Sequence, residues 1–444
     1  MHPFHVPRRA FLRRCAVISA SAALPAWVAK AAGETVKVTK PTSPNSRLGI
    51  GLVGCGGMGM YDLSDAAKLG EVAALCDVDA SHLAAAAQKY PGAAQFHDFR
   101  QLVRHPGVDI VINGTPDHWH TLINLAALRA GKDVYSEKPL TLTIDEGKRL
   151  VKEVTQRNRI LQTGSQQRSD LRFQYAIWLV RQGRIGRLQH IVSSLPSGRQ
   201  GGPFGVKPVP DGFDWDFWQG QTASQAYVPE RGHGNFRYWW DYSEGTLTDW
   251  GAHHNDVVLW GLGLDHSGPV AIEAKSLKDP IPGGFSFPSL YRVEYRYGIG
   301  VTHTCQTVES EDPSGTTVGK TPEGQLPNGV RFEGSEGWLF ISRGKLEASH
   351  PEILQDPAAK ADFGPAHANH VANFVDCVRT RKKPNAHVEI GHRAVSVCHL
   401  GAIALRLGRP LKWDPDHETF PGDAEATRYL ARAQRAPYNY NFVA

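Results

Sequence analysis

The stretch Leu48-Gly49-Ile50-Gly51-Leu52-Val53-Gly54-Cys55-Gly56-Gly57-Met58-Gly59 constrains the fold more than any other part of the chain. An apolar run feeds directly into Gly54-x-Gly56-x-x-Gly59, which reads as a strand, a tight turn and the start of a helix. In such a turn the first glycine permits the bend. The second lets backbone approach a pyrophosphate, and the third lets the helix pack on its strand. Free N–H groups and the helix dipole would then favour phosphate, with Gly54, Gly56, Gly57, Met58 and Gly59 around it. Glycine-rich turns of ordinary α/β cores imitate this pattern, so it needs support.

Support comes from Glu71-Val72-Ala73-Ala74-Leu75-Cys76-Asp77, a second strand ending in an acid about 20 residues past the motif. A carboxylate there accepts the ribose hydroxyls of an adenosine and repels a 2′-phosphate, so NAD is expected in preference to NADP. Asp79 and Ser81 precede an alanine-rich helix and fit the cap of that helix better. Asp77 is therefore assigned to the ribose and Asp79 to the cap.

The formal charge of +5 is misleading. Residues 1–31 hold five of the 49 basic residues and no acid, which leaves 44 basic against 44 acidic beyond them. That balance gives no reason to expect a nucleic-acid partner. Pro7-Arg8-Arg9-Ala10-Phe11-Leu12-Arg13 resembles the twin-arginine export motif. A mildly apolar stretch follows, with small residues at Ala29-Lys30-Ala31. Residues 1–31 are read as a signal peptide, which predicts export in folded form to the periplasm or cell envelope and the twin-arginine machinery as a partner. An ordinary amphipathic helix, or an anchor if cleavage fails, is the other reading. The six cysteines form no CxxC pair and predict no disulfide framework.

Residues 32–46 are polar and proline-interrupted, as expected of a linker or arm. From residue 47 strands and helices alternate. Val108–Ile112 runs into Asn113-Gly114-Thr115-Pro116-Asp117, where Asp117 is taken as the N-cap of a helix through Leu128. Asp133–Ser136 ends in Glu137-Lys138-Pro139, and a helix over 144–158 precedes a strand near 160–164. Repeated βα units imply a doubly wound parallel sheet of Rossmann type over 47–165. Ligands bind beyond the carboxyl ends of such strands, where Gly54, Asp77, Thr115 and Lys138 all fall.

After Gln166 the pattern changes. Residues 196–240 are rich in Gly, Pro and aromatics, and Trp239, Trp240 and their neighbours either wall a sugar site or plug the back of a sheet. Alternation at 188–194, 290–297 and 337–342 predicts a C-terminal α/β domain over 166–444 with a large, mostly antiparallel open sheet. Helices are expected at 367–380 and 392–407, and the tail from Leu411 is expected to wrap the surface.

At Glu137-Lys138-Pro139 the chain resembles the glucose–fructose oxidoreductase, inositol dehydrogenase and MocA (Gfo/Idh/MocA) family. The glycine motif, Thr115-Pro116-x-x-x-His120 and Asp249-x-x-x-His253 extend the resemblance over nearly the whole mature chain. The segment from Gly245 to Asp256 looks most like exported bacterial members. The resemblance implies that Lys138 contacts the reacting hydroxyl and the nicotinamide region. It implies that His253 takes the hydroxyl proton, with Asp249 as its companion. Thr115, Pro116, His120, Glu137 and Gln166 are placed with the cofactor, and Arg168, Arg237, Trp239, Trp240 and His254 with the substrate. Histidine at 253 rather than tyrosine, together with Asp77, points to the NAD-using side of the family. On a continuous helix Asp249 and His253 share a face, so the acid would orient the imidazole.

Three functions follow. The first is an NAD-dependent oxidoreductase acting on a secondary hydroxyl of a sugar, polyol or glycoside, with tightly held, recycled NAD. The second is an NAD-dependent, redox-neutral glycoside hydrolase. The third is a non-catalytic sugar- or cofactor-binding protein. A homo-oligomer is expected because open sheet faces in the family usually pair. Asp249, His253, His254 and Asp256 are weighed as a zinc site, but no metal is assigned.

Overall fold

The computed structural model describes residues 47–309, 326–355 and 369–443. The twin-arginine segment and the 32–46 arm lie outside the described residues. The first half runs β1 (Gly49–Val53), α1 (Gly57–Ala66), β2 (Glu71–Cys76), α2 (Ala80–Lys89), β3 (Ala94–Phe96) and α3 (Phe99–Arg104). It continues through β4 (Ile110–Asn113), α4 (Asp117–Arg129), β5 (Asp133–Ser136), α5 (Ile144–Arg157) and β6 (Leu161–Thr163). The strands form one parallel sheet in the order β3-β2-β1-β4-β5-β6. Strand order reverses between β1 and β4, so their carboxyl ends open a crevice there. β1, β4 and β5 are buried throughout, as strands covered on both faces must be. β3 is three residues long and carries no alternation that the sequence could reveal.

The second half adds α6 (Leu171–Arg181), β7 (Leu188–Pro196), α7 (Trp215–Gln219), α8 (Gly245–Asp249), α9 (Gly251–Leu262), β8 (Pro269–Lys278), β9 (Leu290–Tyr297) and β10 (Thr302–Val308). β11 (Gly329–Gly334), β12 (Trp338–Ser342), β13 (Lys345–Ala348), α10 (His370–Thr380), α11 (Val388–Leu407), β14 (Leu411–Lys412) and α12 (Ala424–Thr427) complete it. Eight strands lie in the order β13-β12-β11-β7-β10-β9-β8-β14, antiparallel except for the β7–β10 pair. Helices α6, α9 and α11 cover the sheet through Phe173, Val257 and Leu400, which pack against Tyr291, Tyr295 and Phe332. The large, mostly antiparallel sheet expected for this half is present.

Two returns tie the halves together. α10 packs Val371, Phe374 and Val375 against Ile50, Leu52 and Tyr135 of the first sheet. The C-terminal segment lays Val443, with Tyr438 and Phe442, over Phe99 and Leu122. Arg129 donates to the Val443 carbonyl at 3.0 Å. The tail is not a polar wrapping from its start, because Leu411–Lys412 pair with Ala271 and Ile272 as an edge strand and bury Leu411. The aromatics of 213–242 largely form a plug: Phe213, Trp215, Trp218, Tyr227, Phe236, Trp239 and Tyr242 pack with Phe285. Cys55, Cys76, Cys305, Cys377 and Cys398 are buried free thiols, and Cys15 lies outside the described residues. Among the described residues no helix is long and apolar enough to cross a membrane.

Candidate active site

The glycine turn is set by close approach. Gly54 has φ +88, and a Cβ there would meet the Gly114 and Thr115 backbone at 2.8 Å. A Cβ on Gly59 would collide with the Gly54 carbonyl. β1, α1 and the end of β4 are thus pressed into one another with no room for side chains. In front of the turn the opposite holds. A Cβ on Gly57 would meet nothing within 4 Å, and α1 starts at Gly57 behind the N-cap Gly56, with no side chain capping it. The helix therefore keeps its unspent N–H groups beside open space, as a pyrophosphate seat requires.

Asp77 is held at the end of β2. Its carboxylate accepts from Cys55 N at 2.7 Å and from Asp79 N at 2.9 Å. Asp79 caps α2, accepting from Ser81 N at 2.8 Å. The cleft lined by Gly54, Gly56, Gly57, Met58, Asp77, Thr115, Pro116, Glu137 and Lys138 is closed on its other side by the second half. Phe217, Trp218, His233, Phe236 and Arg237 form that wall. At its lip His233 reaches across to His82, with ring centroids 4.8 Å apart, and to Asp79 at 3.5 Å. The residues present fit a dinucleotide: a glycine-walled phosphate seat, an acid for the ribose, and an apolar opposite wall.

The chemical groups gather around Asp249 at the end of α8. Lys138 Nζ is hydrogen-bonded to its carboxylate and lies 3.3 Å from its carbonyl oxygen. Arg237 Nε stands 3.2 Å from the same carboxylate. Burial pushes the Asp249 acid up, but Lys138 and Arg237 outweigh it and hold the group well below the usual carboxylate range. Asp117 faces the same cluster from the start of α4. It is not the cap of that helix: Pro116 occupies the cap position. The Asp117 carboxylate instead accepts from Ser243 Oγ at 2.5 Å. Burial raises its pKa to about 7, against the pull of Arg237. Glu137 is also pushed up by burial, and Gln166 donates to it at 3.0 Å.

His253 is buried beside this cluster, but Asp249 does not orient it. α8 stops at Asp249 and α9 starts at Gly251, so the two residues are not on one continuous helix. Arg343 donates to His253 Nε2 at 3.0 Å, while Nδ1 has no partner. Burial first, then the positive charge of Arg343, depresses the imidazole's basicity. Arg343 lies at the β12–β13 turn, 4.7 Å over the Trp250 ring.

Several residues assigned to ligands from the sequence serve the fold. Arg168 is buried and pairs with Asp256, at 2.8 and 2.9 Å, and with Asp265 at 2.6 Å, away from the cleft lining. Trp239 donates to the Glu230 carbonyl within the plug. Trp240 packs between Phe287 and Arg406, away from the cleft. His254 is bonded to Asn328 at 2.7 Å, and burial lowers its pKa to about 4. His120 sets its ring between the Pro139 and Thr115 carbonyls, Nδ1 at 2.6 Å and Nε2 at 2.8 Å, so it braces the cofactor cleft from behind. Gln166 stands behind Glu137, outside the cleft. The four residues weighed as a zinc site have separate partners: Asp249 with Lys138, His253 with Arg343, His254 with Asn328 and Asp256 with Arg168.

Asp117 and Arg343 were missed. A strand-end Thr-Pro-Asp could have marked Asp117 as a site acid. Ser342-Arg343-Gly344 is an ordinary turn, and only the sheet brings it to His253.

A glycine-walled dinucleotide cleft with a buried Lys–Asp–His cluster at the strand ends defines a two-domain, nicotinamide-dependent oxidoreductase. Residues 48–165 match the "Oxidoreductase family, NAD-binding Rossmann fold" and residues 200–440 the "Oxidoreductase family, C-terminal alpha/beta domain". The chain belongs to the Gfo/Idh/MocA oxidoreductase family, and its cofactor is NAD. It is 24% identical over 331 residues to scyllo-inositol 2-dehydrogenase (NAD(+)) of Bacillus subtilis, covering 71% of this chain and 80% of that protein. It is 32% identical over 205 residues to a glycosyl hydrolase family 109 protein of Shewanella, covering 41% of this chain and 44% of that protein. The WlbA dehydrogenase of Bordetella pertussis, solved with NADH and UDP-GlcNAcA, shares the fold at TM-score 0.62 and 18% identity, over 83% of this chain and all of that one. Aldose-aldose oxidoreductase of Caulobacter crescentus does so at TM-score 0.61 and 20% identity, over 82% and 99%.

Proposed function

We propose that this NAD-dependent sugar or polyol oxidoreductase oxidises a secondary hydroxyl, with Lys138, Asp249 and His253 as its chemical groups. The observation that carries the reading is the convergence of Lys138 and Arg237 on Asp249 beside the glycine-walled cleft. Bound NAD supplies the hydride acceptor. Asp249 stays ionised and keeps the Lys138 ammonium aimed into the site. Lys138 donates to the hydroxyl oxygen, where negative charge develops as the proton leaves. His253, neutral in its buried setting, accepts that proton at Nε2 once Arg343 withdraws. Gly56, Gly57 and Met58 would hold the pyrophosphate and Asp77 the ribose.

The Arg8-Arg9 motif supports export in folded form, and NAD is scarce outside the cytoplasm. The cofactor would then stay bound and be recycled, and the protein would work as a homo-oligomer in the periplasm or cell envelope. Mass spectrometry of cofactor released from native protein, followed by a panel of sugars, polyols and aryl glycosides, tests the reading. Bound NAD with net NADH formation on a sugar is the expected outcome. Aglycone release without net NADH would replace it with the redox-neutral glycoside hydrolase, the Shewanella relative being named a glycosyl hydrolase. Sugar binding with neither reaction would leave a binding protein.

A further inference from the structure

The cations at this site are unequally matched. Lys138 and Arg237 both spend their charge on Asp249. Arg343 is paired with no carboxylate among the described residues. Its contacts are the neutral His253 imidazole at 3.0 Å and the face of Trp250 at 4.7 Å. It sits on the short turn between β12 and β13 and is exposed as a residue, although its guanidinium end is drawn down onto His253 and Trp250. Its present bond also occupies the lone pair that His253 needs as a proton acceptor. A carboxylate offers a guanidinium two parallel charge-assisted hydrogen bonds, each roughly twice as strong as a neutral one. An anionic ligand would therefore take Arg343 from the imidazole, while a neutral sugar offers no such exchange.

We propose that the substrate is an anionic sugar, of the uronic acid class, whose carboxylate is captured by Arg343 and thereby frees His253 to act as the base. Arg343 is then a specificity-determining residue as well as a cap on the base. With the carboxylate engaged, the hydroxyl O–H proton passes to His253 Nε2, the hydride on the same carbon passes to bound NAD, and the carbon is left as a ketone. This inference rests on the oxidoreductase reading above.

The test uses the full chain with its bound cofactor and matched pairs that differ only at C6: D-glucuronate with D-glucose, and D-galacturonate with D-galactose. Titration calorimetry should show at least one uronate binding roughly 10- to 100-fold tighter than its neutral partner, the weight of one hydrogen bond to a charged group. Arg343→Gln should erase that preference, and Arg343→Lys should keep part of it. In single-turnover reduction of the bound cofactor, Arg343→Gln should also move the base-dependent limb of the pH profile upward, since a cation beside His253 has gone. A merely structural role for Arg343 would not move that limb. Wild-type protein that binds no uronate, or that binds uronates no better than neutral sugars, overturns the proposal, and so does a preference that survives in Arg343→Gln. A uronate preference that depends on Arg343, with no reduced nicotinamide formed from any sugar, upholds the anionic site and defeats the oxidation reading instead.

Discussion

Around Arg168, two carboxylates share one guanidinium. Around Asp249, two cations share one carboxylate. The residue types are the same, but the first cluster is buried, with Arg168 and Asp256 both shut from solvent and paired to each other. The second opens onto the cleft through Lys138 and Arg237. A closed cluster holds α9 against the turn before α6 and has no capacity left for a ligand. An open one leaves a lysine facing the cleft. Proximity of charges does not separate structure from chemistry here; what remains unspent does.

The largest effects should fall on the open cluster. Lys138→Ala and His253→Ala should each slow single-turnover reduction of bound NAD by about 10²–10⁴-fold, or about 3–5 kcal/mol of barrier, with NAD still bound. If His253→Ala keeps its rate, the base lies elsewhere, and Asp117 is the first place to look. The closed cluster should answer in stability instead. Arg168→Ala leaves Asp256 buried and uncompensated, which should cost about 3–5 kcal/mol in denaturant unfolding. The rate per folded molecule should hold. A stable Arg168→Ala protein that has lost turnover would dissolve the contrast between the two clusters.

pH sharpens the comparison, because two acids at the open cluster respond with opposite sign. Asp117 is raised by burial from 3.8 to about 7. Its contribution to stability is complete below its unfolded value near about 4 and is lost as pH rises through about 7. The loss above that is up to about 4 kcal/mol. Asp249 is lowered, so its contribution is present above its unfolded value and lost only as pH falls through the lower folded one. Asp117→Asn should flatten the stability curve between about pH 4 and 7 without touching the acid limb. Unchanged curvature would show that Asp117 ionises normally. The smallest effect belongs to the far end of the cleft: Asp77→Ala should shift the NAD-to-NADP preference by about 10-fold, roughly 1.4 kcal/mol, in binding titrations. Wild-type protein that prefers NADP would remove Asp77 from the ribose.

Legibility followed range in sequence. The glycine turn, the Asp79 cap and the βα units of the first sheet were readable because each is decided within a few residues. The strands β8, β10, β11 and β13 were not, since their partners are set by an eight-stranded sheet rather than by clear local alternation. The 215–240 aromatics were readable as a group but not one by one. Trp239 and Trp240 are adjacent yet pack into different cores, while Phe217, Trp218 and Phe236 reach the cleft.

The dinucleotide turn is legible in the chain alone, because only glycine fits where α1, β1 and the end of β4 press together. Lys138 at a strand end is legible in the same way, and the family resemblance singles out Asp249 and His253. Who holds whom is set by packing. The break between α8 and α9 sends Asp249 to Lys138 and Arg237, and the β12–β13 turn delivers Arg343 to His253. The physical reason is that partners 90 or 111 residues apart are chosen by how two sheets and their covering helices pack, and spacing along the chain carries no record of that choice.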